Sequence, residues 1–120
     1  MKNYQQRGAV ITIVATAAIA VGEVVRVGNL LGVAPAAIAS GATGEIDIEG
    51  VFVVPKVSGA VIAAGETLTW DASAAAFDDN AAVAASGDIT GAAAVAFEAA
   101  GAGVTSIAVK FTGVPGTLTA

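Results

Sequence analysis

The clearest pattern of polar and apolar positions lies in residues 44–55. Its first half alternates carboxylates with isoleucines, in the order Glu45, Ile46, Asp47, Ile48, Glu49. The two-residue period of a β-strand places such carboxylates on one face and the isoleucines on the other. After Gly50 the chain is continuously apolar over residues 51–54, which is typical of a strand covered on both faces. The pattern predicts one central strand, half exposed at its start, buried at its end and terminated by Pro55.

Shorter strands are predicted on both sides of this segment. The runs of β-branched and aromatic residues that indicate them are residues 10–14, 23–27, 30–34, 67–70, 74–77, 89–98 and 104–111. Gly28 and Asn29 separate two of these runs, and both residue types tolerate the positive φ of a two-residue hairpin turn. Residues 16–21 mix helix-favouring Ala with strand-favouring Ile and Val, so the pattern assigns them to neither state.

The last third of the chain is rich in Ala, which favours helix. Four glycines interrupt it: Gly87, Gly91, Gly101 and Gly103. Because no uninterrupted window is long enough for a stable isolated helix, we predict strands here as well. The fold class that follows is all-β: a compact, single-domain jelly roll, barrel or sandwich of short antiparallel strands.

A weak repeat accompanies these strands. Each of four pairs of glycine and acid precedes a predicted strand: Gly22-Glu23, Gly44-Glu45, Gly65-Glu66 and Gly87-Asp88. Short strands with such even punctuation are typical of jelly rolls and barrels. A chain with 15 glycines also produces some regular spacings by chance, so a structural period and a coincidence are both open at this point.

The chain divides into three parts. Residues 1–8, MKNYQQRG, contain the only Tyr and contrast in polarity with the apolar block that follows, and we interpret them as an N-terminal arm. Residues 9–111 form one β domain, and residues 112–120, which include Pro115, form a C-terminal tail. A chain of this length buries about two-thirds of the surface that its unfolded form exposes.

The apolar fraction of 56% is supplied largely by Ala, since aromatic residues make up only 5% of the chain. Each buried methyl group contributes only roughly 0.8 kcal/mol to stability. The predicted core is therefore broad and thin, and it gains stability if a second subunit covers part of the surface. We expect a homo-oligomer.

The net charge of −5 lacks the basic stripe that nucleic-acid binding needs, so nucleic acid is not an expected partner. Residues 9–21, behind Lys2 and Arg7, resemble the apolar part of a signal peptide. Against that, residues 10–14 are β-branched, and the segment is shorter than the roughly 20 residues of a membrane-spanning helix. We expect no membrane partner, and the retained Met1 indicates synthesis in the cytoplasm.

The sequence has no Cys and no His, which removes thiolate ligands, the commonest general base and the commonest metal ligand. It also lacks the phosphate-binding pattern G-x-x-x-x-G-K-[ST] and the S-x-x-K pattern of lysine-assisted serine nucleophiles. We predict no catalytic residue, no cofactor and no metal site, and we do not expect an enzyme. Hydrolysis by a pair of carboxylates stays open, because spacing in the sequence says little about distance in space.

Three features have two interpretations each. The row Glu45, Asp47 and Glu49 either holds a calcium ion or a basic partner, or is the solvated face of an exposed strand. Residues 78–80, Asp-Asp-Asn, lack the closing Glu of a calcium loop, which favours a plain turn. Trp70 either anchors an interface or packs in the core, and the core is commoner for a lone Trp on an alternating strand.

Four segments stand out for their order and spacing. They are MKNYxQxG at 1–8, GEVVRVGNLLGVA at 22–34, GEIDIEGVFVVPK at 44–56 and GETLTWD at 65–71. In these segments the chain resembles the small phage capsid decoration, or cement, proteins, a family of which some members have been labelled recombinases. The Ala-rich residues 81–103 and the tail depart from the family pattern. The recombinase label does not suit this chain, because an ATP-dependent strand-exchange enzyme needs the missing phosphate loop.

The resemblance implies a compact β domain that assembles as a small homo-oligomer, with a trimer preferred and a dimer as the alternative. It also implies a virion protein that binds the major capsid protein on the outer surface of the head. We expect the arm to supply the capsid contacts, through Lys2, Asn3, Tyr4, Gln5, Gln6 and Arg7. The alternatives are a frayed terminus that contacts nothing and, for the whole protein, a carbohydrate- or receptor-binding β module.

Overall fold

The computed structural model describes residues 8–120, and every regular element in that range is a β-strand. The strands are β1 (Val10–Val14), β2 (Val24–Val27), β3 (Leu30–Val33), β4 (Thr43–Asp47), β5 (Glu49–Pro55), β6 (Thr69–Asp71), β7 (Ala76–Asp78), β8 (Ile89–Thr90), β9 (Ala94–Ala96), β10 (Ser106–Thr112) and β11 (Thr117–Leu118). All ladders between these strands are antiparallel. The all-β fold is confirmed, and between residues 8 and 120 no helix is long and apolar enough to span a bilayer.

Residues 9–48 form one long antiparallel hairpin. Its pairing keeps a single register from the hydrogen bond between the Ile48 amide and the Ala9 carbonyl, through β1–β4 and β2–β3, to the tip. The tip is the predicted turn at Gly28 and Asn29, where Gly28 has φ 59°. The hairpin folds back on itself so that β3 also pairs with β4, which gives the order β1-β4-β3-β2. This is the strand order of a Greek key.

Residues 49–112 form the second half of the molecule around another long hairpin. Strands β5 and β10 pair along their whole length, and β9 lies on the other side of β10. An isolated bridge between Thr67 and Val95 joins β9 to the segment just before β6, and an isolated parallel bridge between Lys56 and Phe77 joins β7 to the residue just after β5. Since β6 pairs with β7, these contacts close a hydrogen-bonded circuit of five strands, which is a small barrel.

The single central strand predicted over residues 44–55 is wrong in one respect, because it is two strands. Strand β4 belongs to the first sheet and β5 to the second, and the chain changes sheet at Ile48. The strand predicted over residues 89–98 is likewise divided into β8 and β9, with Gly91 at φ 92° between them. Both divisions occur where the strand must turn toward a new partner.

Five of the four-residue turns in residues 8–120 share one geometry. In each, the amide of the fourth residue donates to the carbonyl of the first, and the third residue is a glycine with φ between 80° and 92°. Positive φ at the third position identifies type II turns. They span residues 20–23, 39–42, 63–66, 85–88 and 101–104. The predicted glycine repeat is right at Gly22, Gly65 and Gly87 but wrong at Gly44, since the turn uses Gly41 and Gly44 lies in β4.

The turns pair with one another across the two hairpins. In the first hairpin Ile19 and Ile38 exchange hydrogen bonds, and the amides of Gly22 and Gly41 donate to carbonyls of the opposite segment. In the second hairpin Ile62 and Ala100 likewise exchange hydrogen bonds. The amides of Gly65 and Gly103 again donate to carbonyls of the opposite segment. A sequence signal for the first pair exists, because residues 15–22 and 34–41 share the pattern A-x-A-A-I-A-x-G.

Two apolar clusters hold these elements together. The larger fills the barrel and includes Trp70, Phe77 and Phe111, whose rings pack edge to face. The smaller lies on the other face of the first sheet, around Ile38, Ile46 and Ile48. The two faces of the first sheet therefore pack against different cores.

The C-terminal stretch of residues 112–120, interpreted from the sequence as a tail, is hydrogen-bonded to the domain. Strand β11 pairs with β8, and the amide of Thr119 donates to the Asp88 carbonyl. Gly116 exchanges hydrogen bonds with Asn29 at the tip of the first hairpin. The stretch thus ties the tip of the first half to the barrel.

Lys56 is a buried cation, with 3% of its surface exposed. Its ammonium donates to the carbonyl oxygens of Val57, Gly101 and Val104, at 2.9, 3.1 and 3.2 Å. All three protons of the ammonium group therefore have acceptors, as a buried charge requires. The side chain thus links the two segments of the second hairpin just beyond the end of the β5–β10 ladder, where the turn at residues 101–104 begins.

We predict that Lys56→Met destabilises the protein by about 2 kcal/mol, because three charge-assisted hydrogen bonds are lost and the Val104 carbonyl loses its ammonium donor, whereas the carbonyls of Val57 and Gly101 keep the amides of Ala60 and Val104. The free energy of unfolding from urea denaturation measures the effect. Arg26→Met is the matched control, since it removes one cation from an exposed side chain and should change stability by no more than about 0.5 kcal/mol. Equal stability of Lys56→Met and wild type would contradict this role.

We predict a cost of about 1 kcal/mol for Gly65→Ala, because an L-residue is strained at the φ of 82° found there. A Cβ at Gly65 meets no atom within 4 Å, so the cost is conformational and not steric. Gly59→Ala is the control, since its Cβ is equally unobstructed and its φ is not positive. The control should be neutral or slightly stabilising, and a Gly65→Ala variant that behaves the same way would argue against the strain.

Candidate functional site

The predicted capsid-contact residues, Lys2 to Arg7, lie outside the described residues, so their role stays a prediction. What the structure gives is the point from which the arm leaves the domain. The Ala9 carbonyl accepts the amide of Ile48 at 2.9 Å, and Ile48 is the residue where the chain passes from the first sheet to the second. The arm thus starts at the junction between the two halves of the molecule.

The predicted alternation over residues 45–49 is confirmed. Ile46 and Ile48 are buried, Glu45 and Glu49 are exposed, and Asp47 is half-buried. Glu45 and Asp47 share the face of the first sheet that carries Thr12 of β1, whereas Glu49 belongs to the second sheet. Within residues 8–120 no group of three or more acidic side chains is close enough to hold a metal ion. The geometry accords with a solvated acidic row.

The outward row does not end at Glu49, and here the prediction for residues 51–54 is wrong. We expected this run to be covered on both faces, but Val51 is 47% exposed and Val53 is 73% exposed. Phe52 and Val54 point the other way, into the barrel core. The two-residue alternation of the acidic half therefore continues through β5, and its outward positions change from carboxylates to valines.

These valines belong to an apolar patch on the outside of the barrel, which we call the outer face. Two rows make it up: Val51, Lys110 and Val95 in one, and Val53, the buried Ala108 and Phe97, the residue after β9, in the next. Phe97 is 61% exposed, and its amide donates to the Ala108 carbonyl at 3.0 Å. Lys110 is exposed and supplies the single charge in these two rows.

Trp70 is not on the surface. It is 7% exposed and packs against Phe77 with ring centroids 5.0 Å apart. Of the two interpretations of Trp70, the core one is confirmed. An aromatic platform around Trp70, which a carbohydrate-binding module would need, is not formed.

The loop at residues 78–80 has the hydrogen bonds of a turn. The Asp79 carboxylate accepts the amide of Ala81 at 3.0 Å, and the amide of Asn80 donates to Glu66 at 2.9 Å. At the neighbouring turn, the Ser73 hydroxyl and the amides of Ala74 and Ser73 donate to Asp71. The Ser73 hydroxyl, followed by the Ala74 amide, lowers the pKa of Asp71 below its ordinary value of 3.8. Both carboxylates thus shape turns.

A groove of about 370 Å³ runs between residues 13–19 and residues 23–27. Its charged groups are Glu23 and Arg26, and each is bound to local backbone. Glu23 accepts the amide of Ala20 at 3.4 Å, and Arg26 donates to the Gly28 carbonyl at 2.8 Å. Two facing carboxylates, the arrangement needed for glycoside hydrolysis, do not line this groove.

The comparisons with known proteins point to one family. The chain matches the family model described as phage cement protein over residues 5–111. It therefore belongs to the phage cement protein family, which is structural and not a class of enzymes. No curated protein matches the chain.

Proposed function

We propose that this phage cement protein binds the outer surface of a phage head as a homo-oligomer and clamps neighbouring major capsid proteins against internal pressure. Membership of the cement family over residues 5–111 is the observation that carries the proposal. The family assigns a capsid-stabilising role in the virion. The finer elements, namely the binding partner, the oligomer and the contact residues, are our inference.

The surface chemistry supports such a role. The outer face offers exposed Val51, Val53 and Phe97, and β4 and the start of β5 offer the exposed carboxylates Glu45 and Glu49, so both apolar and charged groups are available for contacts. The arm adds Lys2, Tyr4 and Arg7, and it starts beside that acidic row. Several modest contacts made by one oligomer act together, because the first raises the effective concentration for the next.

The alternative, a surface carbohydrate- or receptor-binding module, has no observation in its favour around Trp70. That side chain is buried in the barrel core. The label of recombinase that some family members have received has no counterpart either, because a phosphate-binding loop is absent from the sequence. The cement function is therefore our single proposal.

We predict that washed particles of the source phage contain this chain in a simple ratio to the major capsid protein. A decoration protein occupies equivalent positions of a symmetric shell, so its copy number follows the number of capsid subunits. Quantitative mass spectrometry of purified virions measures the ratio, with a host cytosolic protein as the control for washing. Absence of the chain from such particles would overturn the proposed function.

We predict that deletion of residues 1–8 lowers capsid occupancy about tenfold or more while the circular dichroism of the β domain is unchanged. The arm's polar and aromatic side chains would no longer reach the capsid, and each lost factor of ten corresponds to roughly 1.4 kcal/mol. The matched control keeps all eight residues in scrambled order, which preserves length and charge. Occupancy equal to wild type after deletion would assign the capsid contacts to another surface.

A further inference from the structure

Strand β1 has one paired edge and one open edge. Just after it, the amide of Ala15 donates to the Ala42 carbonyl, in the same register as the β1–β4 ladder. Because hydrogen-bonded positions alternate along such a ladder, the odd residues of β1 direct their backbone groups to β4. Thr12 and Val14 direct theirs to the other side, where no strand of residues 8–120 pairs with β1. An open edge of this kind is a template for a further strand.

The groove of about 370 Å³ lies at the end of β1. Residues 13–19 form one wall and residues 23–27 the other, and the second wall contains β2, the other edge strand of the first sheet. The half-buried side chains of Ile13, Ile19 and Val25 line the groove and also pack against the smaller core. Residues 8–120 therefore leave one side of that core partly uncovered.

The chain enters β1 through a turn. Gly8 and Ala9 lie in that turn, and β1 begins at the next residue. A two-residue turn joins antiparallel neighbours, so a segment that precedes it can run back along the strand that follows. The open edge is the one available to such a segment, since β4 occupies the other. Seven residues precede Gly8 and β1 has five, so the segment is long enough to cover the edge.

We propose that the arm docks on the open edge of its own β1 as an additional antiparallel strand formed by residues 2–7. The turn at Gly8 and Ala9 sets the register. The hydrogen-bonded pairs are Arg7 with Val10, Gln5 with Thr12 and Asn3 with Val14. The inference goes beyond the proposed function, because it concerns the free subunit and not its contact with a capsid.

This register assigns Tyr4 to the groove. Directly opposite residues of two strands share a face, so Tyr4 stands beside Ile13, on the face that carries Ile11 and Ile46. The smaller core, as residues 8–120 form it, contains no aromatic side chain. A tyrosine has a large apolar body and a polar tip, which suits an apolar groove that stays open to water.

The other face of the docked strand meets the acidic row. Across β1 and β4, Val10 pairs with Asp47 and Thr12 pairs with Glu45. Arg7, opposite Val10, therefore joins the row that contains Asp47, and Glu45 lies in the next row. Exposed ion pairs contribute little to stability, so these charges orient the arm while the burial of Tyr4 holds it.

The covalent link favours the arm over a strand from another molecule. A short tether holds a segment at an effective concentration of about millimolar. A separate peptide or a second copy in dilute solution does not reach that concentration. The arm is therefore the occupant to which the proposal commits.

We predict that the arm slows hydrogen exchange of the Thr12 and Val14 amides about tenfold or more, because both become hydrogen-bonded to it. NMR of the full chain and of a variant without residues 1–7 measures the exchange. The amides of Ile11 and Ile13 are internal controls, since they face β4 and should be protected in both proteins.

Equal exchange rates of the Thr12 and Val14 amides in the two proteins would overturn the proposal. Fast exchange in both would leave the edge open. Slow exchange in both would show that another strand, such as one of a second copy, lies there.

Two single substitutions test which face enters the groove. Tyr4→Ala should remove most of the protection, because the groove loses the ring that fills it. Gln5→Ala is the matched control, since Gln5 lies on the opposite face, and it should leave the protection in place. Equal effects of the two substitutions would contradict the register.

Paired cysteines test the register directly, because the sequence contains no Cys. Gln5→Cys with Thr12→Cys places two Cα atoms about 5.5 Å apart, within the range of a disulfide. Gln6→Cys with Thr12→Cys is the matched control, since those side chains lie on opposite faces. In a glutathione buffer the first pair should form its disulfide about tenfold faster than the second, measured by mass spectrometry.

Similar rates for the two cysteine pairs would indicate a frayed arm and would overturn the proposal. All these assays use purified protein without capsid. Their failure would leave the copy number in particles, which tests the proposed function, unaffected.

Discussion

Antiparallel backbone pairing between distant segments is the interaction on which the rest of the structure depends. The first hairpin joins residues 9 and 48 in one register, and the second joins residues 49 and 112. Burial of side chains contributes less stability here than in a core of large residues, because many of the buried side chains are Ala, each worth roughly 0.8 kcal/mol per buried methyl group. Where turns interrupt the ladders, the hydrogen bonds between the two segments of each hairpin come from glycine amides, and in the second hairpin also from the ammonium of Lys56.

Local pattern was enough to predict most strands and the tip of the first hairpin. Alternation placed Ile46 and Ile48 inside and Glu45 outside, because a strand's period is the same whatever its partner is. The division at Ile48 was not predictable, since it depends on which strands lie beside residues 44–47 and residues 49–55. The same holds for Gly41, whose role follows from its pairing with residues of the opposite segment.

The outer face shows the limit of sequence pattern most clearly. A run such as residues 51–54 has the same composition whether its second cover is another sheet of the same domain or another subunit. Phe97 lay in a predicted strand, but the sequence does not say that it stands in the same row as Val53, on the other side of Ala108. That arrangement requires the registers of β5, β9 and β10 together. Only the exposed fractions of Val51 and Val53 in the folded chain show that residues 8–120 leave this side of β5 uncovered.

The position of the arm connects self-association with attachment to a shell. Residue 9 pairs with Ile48, immediately before β5 begins at Glu49. In the proposed homo-oligomer each arm therefore starts where the two halves of its own subunit meet. Several weak capsid contacts made by one oligomer gain from effective concentration, and the proposed function thus gives a thin domain a means of joining neighbouring capsid subunits.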